Sequence, residues 1–165
     1  MGGKMSHVLC NRGGGPLVEP AVPDNEVLTF ALVEKWRTSF EDLMETKAGR
    51  RKFAEFLKIE YSDENILFWE ACQELKRETN SEKIEEKTRI IYEDFVSILS
   101  PKEVSLDSRV RENVNLNMAK PSVSTFDEAQ AQIYALMNRD SYPRYLVSQE
   151  YKNVRNSFGM IEENV

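Results

Sequence analysis

The chain has 165 residues, 41% of them hydrophobic and 30% charged, with a formal net charge of −6. That length suits a single domain able to bury its own core, with room for a tail. An acidic balance without a basic stripe excludes nucleic acid as the expected partner and favours one with a positive surface.

The first 25 residues carry Gly13, Gly14, Gly15, Pro16, Pro20 and Pro23 and show no apolar period. Residues 1–25 are expected to be a flexible tail, 26–155 one helical domain and 156–165 a short C-terminal tail. In the first segment Lys4 and Arg12 balance Glu19 and Asp24, so the body owns the whole acidic excess. Two cysteines, Cys10 and Cys72, make neither a disulfide framework nor a zinc site, so no metal or cofactor is expected. No apolar run approaches the ~20 residues of a membrane span, and no signal-peptide core is present. The expected location is the reducing cytosol.

The body reads as helix throughout. Val27, Leu28, Phe30, Ala31 and Leu32 predict a first helix within 27–36. After Gly49, taken as a break, Phe53, Phe56, Leu57 and Glu60 follow helical spacing. Ile66, Phe68, Ala71, Cys72 and Leu75 give a second stripe. Ile84, Thr88, Ile91, Phe95 and Ile98 give a third, on a long helix whose other faces carry charge and which must stop before Pro101. Val110, Val114 and Met118 fit a shorter helix ended before Pro121. Thr125 and Glu128 have capping-box spacing and open a helix burying Phe126, Ala129, Ile133, Leu136 and Met137. There is no sustained two-residue alternation and no Asn-Gly or Asp-Gly hairpin. The expected fold is all-α.

Catalytic chemistry is not encoded in any recognisable motif. The only histidine, His7, lies in the expected tail, and there is no HExxH or CxxC pair. Neither Gly2-Gly3-Lys4 nor Gly13-Gly14-Gly15 completes a phosphate loop. The abundant carboxylates lie on helix faces where charge is ordinarily solvated. The expectation is a protein that is not itself an enzyme.

Three words narrow this further: FAEFLKIEYSDENILFW from Phe53 to Trp69, SILSPKEVSLDSRVRE from Ser97 to Glu112, and YALMNRDSYPRYL from Tyr134 to Leu146. In this order and spacing they resemble the regulator-of-G-protein-signalling family over about Trp36 to Tyr151. The middle word is most similar to the branch of the Gα-interacting protein and the Gαz-selective regulators. The resemblance implies a nine-helix domain containing an antiparallel four-helix bundle, with loops at one bundle end forming the interface. It implies a GTPase-activating protein for Gα subunits of the Gi/o/z class, in the GTP-bound or transition state.

Site residues follow from the resemblance. Asn65 matches the asparagine that sits against the water-orienting glutamine of Gα, with Tyr61, Ser62 and Glu64 as neighbouring contacts. Asp107 and Ser108 match a second loop, and Leu136, Asp140, Ser141 and Arg144 a third segment. Arg144 is expected to pair with Asp140 and hold its carboxylate toward the switch regions. Each has a local alternative: Ser62 as cap of a helix beginning at Asp63, Asn65 as a plain surface residue of the first turn, Asp107 as cap from Ser108 onward, Asp140–Arg144 as an ordinary ion pair, Leu136 as core. Ser105 stands where most of the family has Asn, although the branch resembled here also carries Ser. A hydroxyl replaces an amide's donor and acceptor, which keeps open a non-accelerating Gα-binding scaffold or effector antagonist.

The N-terminal MGGKMS matches the myristoylation pattern at Gly2. One acyl chain binds membrane only marginally, so Cys10, as a palmitoylation site, would be the second signal. The expectation is peripheral attachment at the inner face of the plasma membrane; the alternative is a chance match in a plain tail.

Overall fold

The computed structural model describes residues 27–158. The expected tail 1–25, with Gly2 and Cys10, lies outside them, as do residues 159–165 of the expected C-terminal tail. Among the described residues there are nine α-helices and no strand: α1 Phe30–Lys35, α2 Phe40–Glu45, α3 Lys47–Ile59, α4 Glu64–Lys76, α5 Ser81–Ile91, α6 Ser108–Asn117, α7 Asp127–Leu136, α8 Tyr142–Val147 and α9 Gln149–Asn156. Two single π turns, Tyr92–Val96 and Met137–Ser141, extend α5 and join α7 to α8.

Helices α4 to α7 form the bundle, and side-chain pairs fix its directions. Lys87 of α5 meets Glu74 and Glu78 at the end of α4, while Phe95 meets Phe68 at its start. Tyr92 bonds Asn115 and Arg111 reaches the Val96 carbonyl, so α6 runs against α5. Asp107 pairs with Gln132, Asn113 with Glu128, and Asn117 with the Thr125 carbonyl, so α7 runs against α6. Lys76 meets Asp127 while Trp69 faces Tyr134, which closes the ring with α4 antiparallel to α7. The start of α4, the end of α5, the start of α6 and the end of α7 therefore share one end of the bundle.

The core of the bundle follows the predicted stripes: Ile66, Phe68, Cys72, Leu75, Ile91, Val110, Val114, Phe126, Ala129, Ile133 and Met137 are buried. Burial pushes the Cys72 thiol up, holding it in the neutral form. Helices α1–α3, α8 and α9 make a second lobe around Trp36, Phe40, Phe53, Phe56, Tyr145 and Tyr151. Tyr151 donates its hydroxyl to the Val33 carbonyl at 2.8 Å and Tyr142 to the Trp36 carbonyl at 2.6 Å, tying the two ends of the domain together.

Four local readings are corrected. Gly49 is no break: it lies in the first turn of α3, capped by Thr46, whose hydroxyl accepts the Gly49 N–H at 3.0 Å. A Cβ there would run into the Leu43 carbonyl oxygen, so glycine is required by the close approach of α2 to α3. Ile98 is exposed, because the π turn rotates the chain away from the α5 stripe after Val96. Thr125 and Glu128 form no capping box. The Thr125 hydroxyl accepts the Ser122 N–H at 2.9 Å, and Glu128 instead binds Arg109 and Asn113. The first helix forms within 27–36 as expected, with Leu28 and Leu32 packed against the core and Val33 and Trp36 buried, but Val27 is exposed and lies outside it.

Candidate partner interface

The first segment begins where α3 stops. The Ser62 N–H bonds the Leu57 carbonyl at 2.9 Å and the Tyr61 N–H that of Lys58 at 3.2 Å, a Schellman closure. Its left-handed position normally takes Gly, yet here holds Tyr61 at φ 56°, a strain on the order of 1 kcal/mol. The result is a tyrosine ring 92% exposed at the bundle end. Ser62 does not cap α4, which begins at Glu64 with Asp63 before it and no side-chain cap bond. The Ser62 hydroxyl is instead buried without a partner. Asn65, in the first turn of α4, is 7% exposed, and no hydrogen bond joins its carboxamide to another of the described residues. Its stem is fixed by packing while its amide is uncommitted.

The second segment leaves the Tyr92–Val96 π turn through a tight turn, Ser97 to Ser100, with Leu99 at φ 65° and exposed. The Lys102 N–H then bonds the Asp94 carbonyl at 3.1 Å and the Val104 N–H that of Phe95 at 2.9 Å, laying the loop back on the bundle. Ser105 and Ser108 are exposed. Asp107 caps α6 as its local alternative anticipated, accepting the Val110 N–H at 2.8 Å. Its second oxygen accepts Gln132 Nε2 at 2.9 Å, and Gln132 Oε1 accepts the Asp107 N–H at 3.1 Å. The Val110 amide first, then Gln132 and the nearby Arg109, hold the Asp107 carboxyl below its ordinary value.

The third segment is the Met137–Ser141 π turn with the residues around it. Leu136 and Asp140 are half-buried, while Ser141 at 4% exposure offers a partner only an edge. The expected Arg144–Asp140 carboxylate pair is absent. Arg144 Nη1 donates to the Asp140 main-chain carbonyl at 3.0 Å, and the rest of the guanidinium grips Glu60: Nε to Oε1 at 3.1 Å and Nη2 to Oε2 at 3.0 Å. The Glu60 carboxylate pushes the Arg144 guanidinium further up. The Asp140 carboxylate lies 3.4 Å from Arg139 Nε instead. The fork on Glu60 satisfies two guanidinium donors at once on one carboxylate while the third bonds the Asp140 carbonyl.

The three segments thus meet at one end of the molecule. Glu60 ties the first to the third, Lys102 bonds Asp63 at 3.1 Å to tie the second to the first, and Gln132 anchors Asp107 to α7. Glu60, Asp63, Lys102 and Gln132 were not among the expected site residues. Their pairings are long-range, and a single sequence carries no signal for them. Of the expected residues, Asp107, Asp140 and Arg144 take part in these ties directly, and Tyr61 and Ser62 lie between the tied Glu60 and Asp63.

A family model, Regulator of G protein signaling domain, matches residues 39–154, a range that contains all three segments. The chain belongs to the regulator of G protein signaling family. It is 71% identical over 137 residues to "Regulator of G-protein signaling rgs-2" of Caenorhabditis elegans, covering 83% of this chain and 81% of that one. It is 58% identical over 138 residues to "Regulator of G-protein signaling 20" of Gallus gallus, covering 84% and 63%. To "Regulator of G-protein signaling 19" of Homo sapiens it is 62% identical over 120 residues, covering 73% and 55%. The regulator of G protein signaling domain here thus runs from α2 into α9, with α1 packed onto it through Val33 and Trp36. None of its described helices is long and apolar enough to cross a membrane.

Proposed function

We propose that this domain is a GTPase-activating protein for Gα subunits of the Gi/o/z class, acting as a clamp on the switch regions. The observation that carries the reading is Asn65: a buried stem, an uncommitted carboxamide, and a place beside the exposed Tyr61 on the braced bundle end. Such a group can meet a partner's glutamine with both a donor and an acceptor and little loss of freedom.

The energy required is modest. Gα subunits with their own arginine hydrolyse GTP at ~10⁻² s⁻¹, and a hundredfold gain needs only ~2.7 kcal/mol. A few hydrogen bonds to mobile switch loops are sufficient, provided they are stronger in the transition state than in the GTP ground state. This domain supplies position, with no residue of its own entering the chemistry. Tyr61, Ser62, Glu64, Ser105, Ser108, Leu136, Asp140 and the edge of Ser141 complete the contact surface, together with the exposed Asp107 and Arg144, which also brace it.

The test is single-turnover GTP hydrolysis by purified Gα of the inhibitory class, with and without this protein and its Asn65→Ala variant. Acceleration that the variant mostly loses supports the clamp. Binding to activated Gα without acceleration assigns the scaffold role, with Ser105 the residue to restore to Asn.

We further propose attachment to the inner face of the plasma membrane through acylated Gly2 and Cys10, on the strength of the N-terminal pattern. Gly2→Ala is expected to move the protein into the soluble fraction; unchanged partitioning contradicts the attachment.

A further inference from the structure

Glu60 occupies a position whose role no family word suggested. It ends α3, directly before the left-handed Tyr61, and 84 residues from Arg144, whose guanidinium engages both of its oxygens. The same guanidinium donates its remaining edge to the Asp140 carbonyl. A planar fork held at three points fixes angle as well as distance, so α8 cannot rotate against α3 without breaking a bond. Half-exposed ion pairs contribute little to stability, and the Arg144 side chain is 52% exposed. What this one contributes is orientation. Tyr61 needs that help: a non-glycine residue persists at positive φ only where its surroundings over-determine it.

We infer that Glu60 is a positioning residue, which through Arg144 sets the angle between the Tyr61–Asn65 turn and the Asp140 segment. It is distinct from the contact residues, being 27% exposed at its side chain and fully engaged within the chain. The consequence for acceleration rests on the proposed Gα function; the consequence for the turn itself does not. A misplacement of about 1 Å in such a constellation can reduce a rate as much as ~100-fold.

Two arms keep these apart. In the free protein, Glu60→Gln is expected to shift the amide resonances of residues 61–65 and 140–144 and to speed hydrogen exchange in the turn. The melting midpoint is expected to stay within about 2 °C of the parent, as for other exposed pairs. Unchanged resonances in that turn overturn the inference whatever Gα does. In single-turnover hydrolysis, Glu60→Gln is expected to lose about tenfold of the acceleration, and Glu60→Gln with Arg144→Ala to be no worse than Arg144→Ala alone. Two losses that multiply would show that the residues act independently and also overturn it. If the parent protein gives no acceleration, the GTPase-activating reading fails, and the free-protein arm still decides the role of Glu60.

Discussion

The two lobes of this domain bury their cores in different ways. The bundle of α4–α7 is built on helices of 10–13 residues whose buried stripes mix aliphatic side chains with Phe68 and Phe126, and its buried Gln130 bonds the Trp69 carbonyl, Gln73 and Lys76 across the α4–α7 contact. The lobe of α1–α3, α8 and α9 is aromatic. Phe40, Phe53, Tyr142, Tyr145 and Tyr151 pack at ring separations of 5.3–5.6 Å, and tyrosine hydroxyls reach carbonyls more than a hundred residues away. Helices of six residues such as α1, α2 and α8 are too short to stand alone and form only when packed. The bundle's helices are therefore legible from local period although their packing is closed by distant pairs. The short helices of the other lobe depend on long-range closure to form at all, and the candidate interface lies along the seam of the two.

The sharpest break of that contrast is Gly49→Ala. In an exposed helix this exchange gains up to ~1 kcal/mol, whereas here the new methyl meets the Leu43 carbonyl, and a loss of about 1–3 kcal/mol is expected by urea denaturation. A more stable variant would mean that α2 and α3 do not meet so closely. Next come two tyrosines of the aromatic lobe. Tyr151→Phe removes the bond to Val33 and is expected to lose about 1–2 kcal/mol. Tyr145→Phe removes a buried hydroxyl that has no partner, and stability should hold or rise. Equal losses would contradict the closure described for Tyr151.

Smaller effects fall on the seam. Tyr61→Gly relieves the left-handed strain and is expected to stabilise the fold by up to about 1 kcal/mol while weakening acceleration. The opposite sign on stability would remove the strain from the account. Smallest is the acid response of Asp107. Its folded carboxyl titrates below the ordinary aspartate value, so its contribution is present above that ordinary value and is lost as pH falls through the lower folded one. Asp107→Asn should flatten that part of the stability-against-pH curve, and an unchanged acid limb would speak against the cap.

The legibility of the sequence divides along the same line. The stripes Ile66–Leu75 and Val110–Val114 were readable because neighbours on a helix face are neighbours in sequence. The three words resembling the family led to Asn65, Asp107 and Asp140, and the structure gathers these at one bundle end. What stayed hidden was set by distant partners. Arg144 turns from the expected Asp140 carboxylate to Glu60, Glu128 leaves a well-spaced capping box for Arg109 and Asn113, and Gly49 reads as a break until Leu43 is seen against it. The π turns were hidden too, since one inserted residue per turn leaves the composition unchanged while moving Ile98 off the core.

The central claim is that this surface recognises Gα better in the transition state of hydrolysis than in any ground state. Its most direct measurement is the affinity for inhibitory-class Gα loaded with GDP and aluminium fluoride, compared with the same subunit loaded with a non-hydrolysable GTP analogue or GDP alone. The account predicts the tightest binding to the fluoride form, by about 10-fold or more over the GTP analogue, and an Asn65→Ala variant that narrows this gap. Equal affinity for the fluoride and GTP-analogue forms would contradict it, because uniform binding cannot lower the barrier to the chemical step.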